Sequence, residues 1–306
     1  MPGQSDPPPL RRTRGRDLLD LLTPSERARG VDLAPLSLPA LRAVDLAAQD
    51  DVLPKDLISV LRGDPVITAR MLQLVNSSLF GLRRRVLSLD EAAEFLGVDR
   101  ITEIALTAAM AARHSAQGFM TPATADFLWK RSTAVALCSA EMAGEPHPIP
   151  GGPAYLGGLL EGLGLLWIHQ RLPIRFAARI AELNATGRES FQAQRVVLGT
   201  HYLLKGAELL DSWGLPEVLA QRLLDLSSPG EHHEDLHLTC CILGGRQLAR
   251  LLLQELDAIP PGLEWTLPES DPYLSTHQGL EPDSTPELLS QLEHLLSLGG
   301  TRGGAA

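Results

Sequence analysis

The chain has 306 residues, 44% of them hydrophobic and 21% charged, which is enough apolar material for one large domain or two smaller ones. A net charge of −10 argues against a general nucleic-acid binder, because such proteins gain affinity by neutralising phosphates. Three cysteines (Cys138, Cys240, Cys241) without a CxxC exclude a disulfide framework, and no apolar run approaches the roughly 18 residues of a membrane span.

Aromatic residues are only 4%, so the core must be built from Leu, Ala and Val, a composition that favours helices. Residues 1–30 combine a proline run with Arg11, Arg12, Arg14 and Arg16, which reads as a solvated, disordered tail. Leu18, Leu19, Leu21 and Leu22 offer the alternative of a short docking helix there. The tail has no apolar stretch of a secretory signal, so the expected compartment is the cytoplasm.

From Leu36 onward the pattern is helix after helix. A helix is expected over 54–61 and another over 64–76. In the second, Asp64 can cap the free amides and Pro65 suits the first helical position. Val66, Ala69, Met71, Leu72 and Val75 give it one apolar face, and Asn76, Ser77, Ser78 and Gly81 form the turn that ends it. Ser88 and Glu91 have the spacing of a capping box, which opens a helix expected to run to Gly97. Helices follow over 100–116 and, capped by Thr121 and Pro122, through Trp129 to Met142. The breaker-rich loop 144–153 marks a join between two helical halves.

The second half opens with a helix over 154–169 that is apolar on nearly every face and therefore central. Further helices are expected at 173–186, 190–198, 201–213, 216–226 and 235–256. No segment alternates as a strand would. Residues 257–306 read as a loose extension with a short helix near 286–298.

The stretch 64–81, DPVITARMLQLVNSSLFG, resembles the signature of the HD-related output domain (HDOD) family, bacterial regulatory domains related to metal-dependent HD phosphohydrolases. Four later segments resemble the family in order. SLDEAAEFLG (88–97) resembles "si..Ai..lG", and LWKRSTAVA (128–136) resembles "fW.hs...A". GLLEGLG (158–164) resembles "GLLHdiG", and LGTHYLLKGAELLDSWGLP (198–216) resembles "lG.dHaevGa.Ll..W.lP". The resemblance implies an all-α fold: an HDOD-type helical N-terminal subdomain packed on a degenerate HD-like helical bundle, together spanning 31–256. It makes Asp64, Pro65, Asn76, Gly81 and Trp213 structural signature residues.

HD phosphohydrolases hold metal with histidines and aspartates, which needs several convergent anionic or imidazole donors. At the positions the resemblance assigns to ligands this chain has Arg131, Glu161 followed by Gly162, and Arg246; a guanidinium stays protonated and cannot ligate. The histidine pair expected near 224–227 is absent and only Asp225 is polar and acidic there. His201 reads as the one histidine kept in its family position. Arg131, Glu161, His201 and Asp225 thus outline a vestigial pocket, with no catalytic residue, no metal and no cofactor expected.

A competing cluster, Glu231, His232, His233, Glu234, Asp235 and His237, could bind zinc but fits better as acids at a helix start. Cys138 lies on an apolar helix and reads as packing. No GxGxxG, GxxxxGK[ST], HExxH or GxSxG is present. The expected function is a non-catalytic regulatory protein that binds protein partners of a bacterial signalling pathway. Arg83, Arg84 and Arg85 are a candidate partner surface, and no small-molecule ligand is indicated. The alternative is a residual metal-dependent phosphohydrolase acting on a nucleotide.

Overall fold

In the computed structural model the described residues are 22–30, 33–49, 51–76, 85–94, 96–144, 152–185, 190–227 and 236–256. They form helices and connecting turns, with no strand among them. An N-terminal layer contains α2 (Leu38–Ala47), α3 (Pro54–Leu61), α4 (Pro65–Val75), α5 (Leu89–Ala93) and α6 (Val98–Arg113). Here α6 is the spine, and α2, α3 and α4 pack on it. Its buried face carries Ile101, Ile104, Ala105, Leu106, Ala108, Ala109 and Met110, where small alanines let neighbours approach closely.

The second layer is built around α7 (Pro122–Met142), which packs against α8 (Pro153–Glu161) and α14 (Leu236–Glu255). Around that centre lie α9 (Leu163–Arg171), α10 (Ile174–Ala185), α11 (Ser190–Leu198), α12 (Tyr202–Ser212) and α13 (Glu217–Ser227). Small residues again set the closest approaches. A Cβ on Gly158 would lie 2.8 Å from the Val135 carbonyl, and one on Gly245 would lie 2.5 Å from the Ser139 amide. These glycines let α8 and α14 press onto α7.

The described ends of the signature segment do what their chemistry suggests, but its apolar face differs from the expected one: Ile67, Met71, Leu74 and Val75 are buried, while Val66 and Ala69 are exposed. Asp64 Oδ1 accepts from the Val66 and Ile67 amides, capping α4. At the other end the Asn76 carboxamide bridges two chain segments. Its Nδ2 donates to the carbonyls of Leu72 and Val86, each at 2.8 Å, and its Oδ1 accepts from the Val86 amide at 2.7 Å. Asn76 thereby pairs with Val86 as a strand neighbour would, in a place where no strand exists. Asn76→Ala is expected to cost about 1–3 kcal/mol, because it strands the Val86 amide and carbonyl; urea unfolding followed by circular dichroism measures it. Gly81, Arg83 and Arg84 lie outside the described residues, and Arg85 is exposed.

Several boundaries differ from the sequence reading. Residues 24–29, expected in a disordered tail, form a helix, α1 (Pro24–Arg29), capped by the Thr23–Glu26 box. It is held by tertiary contacts: Glu26 pairs with Arg175, the Arg171 guanidinium donates to the Gly30 carbonyl at 2.8 Å, and Arg29 sits over Phe119. Helix α5 ends at Ala93, four residues before Gly97. The single helix expected over 154–169 is two, because Gly162 closes α8 and opens α9. The Trp213–Gly214 end of α12 closes by a Schellman motif: Gly214 is left-handed (φ 71°) and the Leu215 amide reaches the Leu210 carbonyl. Trp213 caps the helix and packs into the core. The extension 257–306 and its expected helix near 286–298 lie outside the described residues.

Candidate functional site

Four helices bring polar side chains to one buried point. Arg131 comes from the middle of α7, Glu161 from the last residue of α8, Tyr202 from the first residue of α12 and Arg246 from the middle of α14. Arg131 grips Glu161 with both terminal nitrogens: Nη1 lies 2.6 Å from Oε2 and Nη2 lies 2.9 Å from Oε1. Tyr202 donates its hydroxyl to Glu161 Oε1 at 2.5 Å. Arg246 Nη1 donates to the Tyr202 oxygen at 2.9 Å and reaches Glu161 Oε1 at 3.4 Å. The side chain of Glu161 is 0% exposed, and those of Arg131 and Arg246 are 4% and 3% exposed.

Burial alone would raise the Glu161 pKa, but the Arg131 charge and hydrogen bonds, then Arg246 and Tyr202, overturn this and hold it below the usual carboxylate range. Burial works against the charge of Arg131 too, and Glu161 more than offsets it, so its pKa is raised. Burial pushes the Tyr202 hydroxyl up to about 12, so it stays a neutral donor. The cluster therefore contains two cations and one anion, tied by a planar two-pronged pairing of the kind that carries the strongest charge-assisted bonds.

The sequence-derived pocket is only partly assembled. Arg131 and Glu161 meet, as two of its four members. His201 does not join them. It is fully buried, stacked on Phe191 with ring centroids 4.8 Å apart, and its Nε2 is 3.3 Å from Arg195 Nη2. The residue that reaches Glu161 is its neighbour, Tyr202. Counting "lG.dHaevGa" without a gap from Leu198 puts the family histidine on Tyr202 and its aspartate on His201, so the sequence signal is present one residue after His201. Asp225 is half-buried and accepts from Gln221 one turn back on α13; the bonds to Glu161 come from Arg131, Tyr202 and Arg246.

The donor set at this point does not fit a metal. Two of its four members are permanently protonated, one is a phenol, and the single carboxylate is fully engaged. Among the described residues no group of three or more His, Cys, Asp or Glu side chains could hold one. His237 lies 3.6 Å from the Cys241 sulfur; the rest of the 231–235 cluster lies outside the described residues. Cys138 is buried and its thiol pKa is raised by burial.

A second ring of buried groups lies nearby on α6 and α7. His114 Nδ1 donates to the Met110 carbonyl at 2.8 Å, its Nε2 is 3.5 Å from Ser132 Oγ, and its ring meets Trp129 edge-on. Burial lowers the pKa of His114 and of His169 to about 4. A base whose pKa falls on folding keeps its full contribution above the unfolded value, near 6.5, and loses it as pH drops towards 4. Glu103 runs the other way. It accepts from the Gly152 amide at the start of α8, and burial raises its pKa to about 7, against the pull of Arg100, so its contribution grows as pH falls from 7. Melting temperature is expected to fall between pH 7 and pH 5, with Glu103→Gln steepening the fall; an unchanged slope would mean that Glu103 is already ionised in the folded chain.

The helix order, the Asn76 turn and the polar residues gathered on α7, α8, α12 and α14 define an HD-related helical domain. The chain belongs to the HDOD family, whose domain model matches residues 33–228. Solved structures show the same fold. An HDOD domain protein of unknown function from Geobacter sulfurreducens is 20% identical, with a TM-score of 0.62 over 88% of this chain and 95% of that one. A candidate phosphohydrolase from Shewanella amazonensis is 21% identical, with a TM-score of 0.61 over 87% of this chain and 93% of that one. A candidate signal transduction protein from Marinobacter aquaeolei is also 21% identical, with a TM-score of 0.61 over 88% of this chain and 59% of that one. No curated protein gives a sequence match. No helix among the described residues is long and apolar enough to cross a membrane.

Proposed function

We propose that this chain is a bacterial cytoplasmic regulatory protein that acts through contacts with protein partners and not by catalysis. One observation carries the reading. The places where an HD hydrolase would bind metal hold Arg131, Gly162 and Arg246, and both guanidiniums are engaged with Glu161 and Tyr202. Buried side chains of 0–4% exposure leave recognition to the surface. On the N-terminal layer Leu38, Val66 and Leu87 stand exposed, and Leu87 is two residues from Arg85. The net charge of −10 disfavours nucleic acid as the partner.

The test pairs a surface variant with a pocket variant. Arg85→Glu, at an exposed position, is expected to weaken capture of the native partner from a lysate of the source organism while changing stability by less than about 0.5 kcal/mol. Tyr202→Phe is expected to keep the partner, with no nucleotide hydrolysis by either variant or by the wild type in manganese. Partner loss in Tyr202→Phe with retention in Arg85→Glu would move function to the pocket. Manganese-dependent hydrolysis by the wild type, abolished in Tyr202→Phe, would establish the residual phosphohydrolase instead.

A further inference from the structure

The departures from a metal site are coupled in space. A Cβ on Gly162 would lie 2.6 Å from Ser132 Oγ and 3.3 Å from Arg131 Nη1. The room an aspartate at 162 would need is therefore taken by the two consecutive α7 residues Arg131 and Ser132. A side chain at 162 would meet Ser132 first and Arg131 second. Arg246 completes the cluster from α14, entering through the Tyr202 hydroxyl. Two guanidiniums bring the charge of one divalent cation to the same carboxylate, and they engage groups from α8 and α12 as a shared cation would.

We infer that Arg131 and Arg246 replace the divalent cation of the HD site, so that α7, α8, α12 and α14 are joined by a cation built into the chain. The donor set given above, two guanidiniums and a phenol around one carboxylate, has the composition such a replacement requires. The inference stands on the geometry of the cluster and does not depend on which partner the protein serves, so its failure and that of the regulatory reading are separable.

The exchange should be reversible by substitution. In wild-type protein stripped with EDTA, adding manganese or zinc is expected to move the melting temperature by less than about 1 °C, because there is no differential binding to the folded state. In the Arg131→His/Gly162→Asp/Arg246→Asp variant both guanidiniums are removed and replaced by donors. Its melting temperature in EDTA should fall below that of the wild type, and manganese or zinc should raise it by roughly 5–10 °C, reversibly, as expected for a ligand well above its dissociation constant. If that variant does not fold, Arg131→His/Arg246→Asp, which adds nothing at position 162, is read the same way with a smaller shift. Strong metal stabilisation of the wild type overturns the inference. So does a folded variant indifferent to both metals, or failure of both variants to fold with either metal present, since a site that traded a cation for a guanidinium must accept the cation back.

Discussion

Glu161→Gln is expected to be among the most damaging single substitutions in this protein. It keeps the shape of the side chain and removes the one negative charge that Arg131 and Arg246 share in a site of 0–4% exposure. Breaking a buried ion pair from one side costs about 3–5 kcal/mol, because the remaining charge stays buried without compensation. Here two cations are left, so the upper part of that range applies. Against a total stability of about 5–15 kcal/mol this removes much of the folded population's margin. The readout is the urea midpoint by circular dichroism. Replacing all three charged residues at once with apolar side chains of similar volume should cost much less than Glu161→Gln, since the desolvation penalty goes with the charges. A Glu161→Gln protein as stable as the wild type would mean that the pairing seen here contributes nothing net. For the same reason Glu161→Ala is a poor probe of function, because loss of activity in it would report loss of folding.

Gly164→Ala is expected to cost about 3 kcal/mol or more, at or beyond the usual upper range for overpacking. Gly164 lies on α9 where α12 crosses it, and a Cβ there would sit 1.9 Å from the Tyr202 carbonyl oxygen and 3.0 Å from the Gly206 amide. Both obstacles are backbone, so the helices themselves must separate, and Tyr202 would be drawn away from Glu161. The control is Gly244→Ala. Its Cβ would meet only the Met142 sulfur and methyl, at 2.4 and 2.3 Å, which lie at the end of a flexible side chain. Relief by rotation of Met142, plus a helix-propensity gain of up to about 1 kcal/mol, should leave that variant near the wild type. Equal effects at the two glycines would show that the α9–α12 crossing can relax.

The sequence by itself determined the all-helical class and the order of the helices, because leucine and alanine at helical spacing, and caps such as Asp64–Pro65 and Thr121–Pro122, are local signals. It also shows that positions 131 and 162 offer no metal-ligating side chain, since a guanidinium stays protonated and glycine has none. What tertiary structure decided is everything that depends on partners distant in the chain. Residues 24–29 are too few to hold a helix alone, and their helix exists beside Arg171 and Arg175, which no local pattern announces. That position 162 has no room for a side chain follows from the crowding of Arg131 and Ser132, thirty residues earlier. The identity of the fourth pocket residue turned on one position: His201 and Tyr202 are adjacent, but only Tyr202, the first residue of α12, meets Glu161, while His201 stacks on Phe191 of α11. Above all, Arg131, Glu161 and Arg246 lie far apart in the chain, and no local pattern links them. Only the packing of α7, α8 and α14 turns them into an ion cluster, because a buried charge is tolerable only where its counter-charge is buried with it.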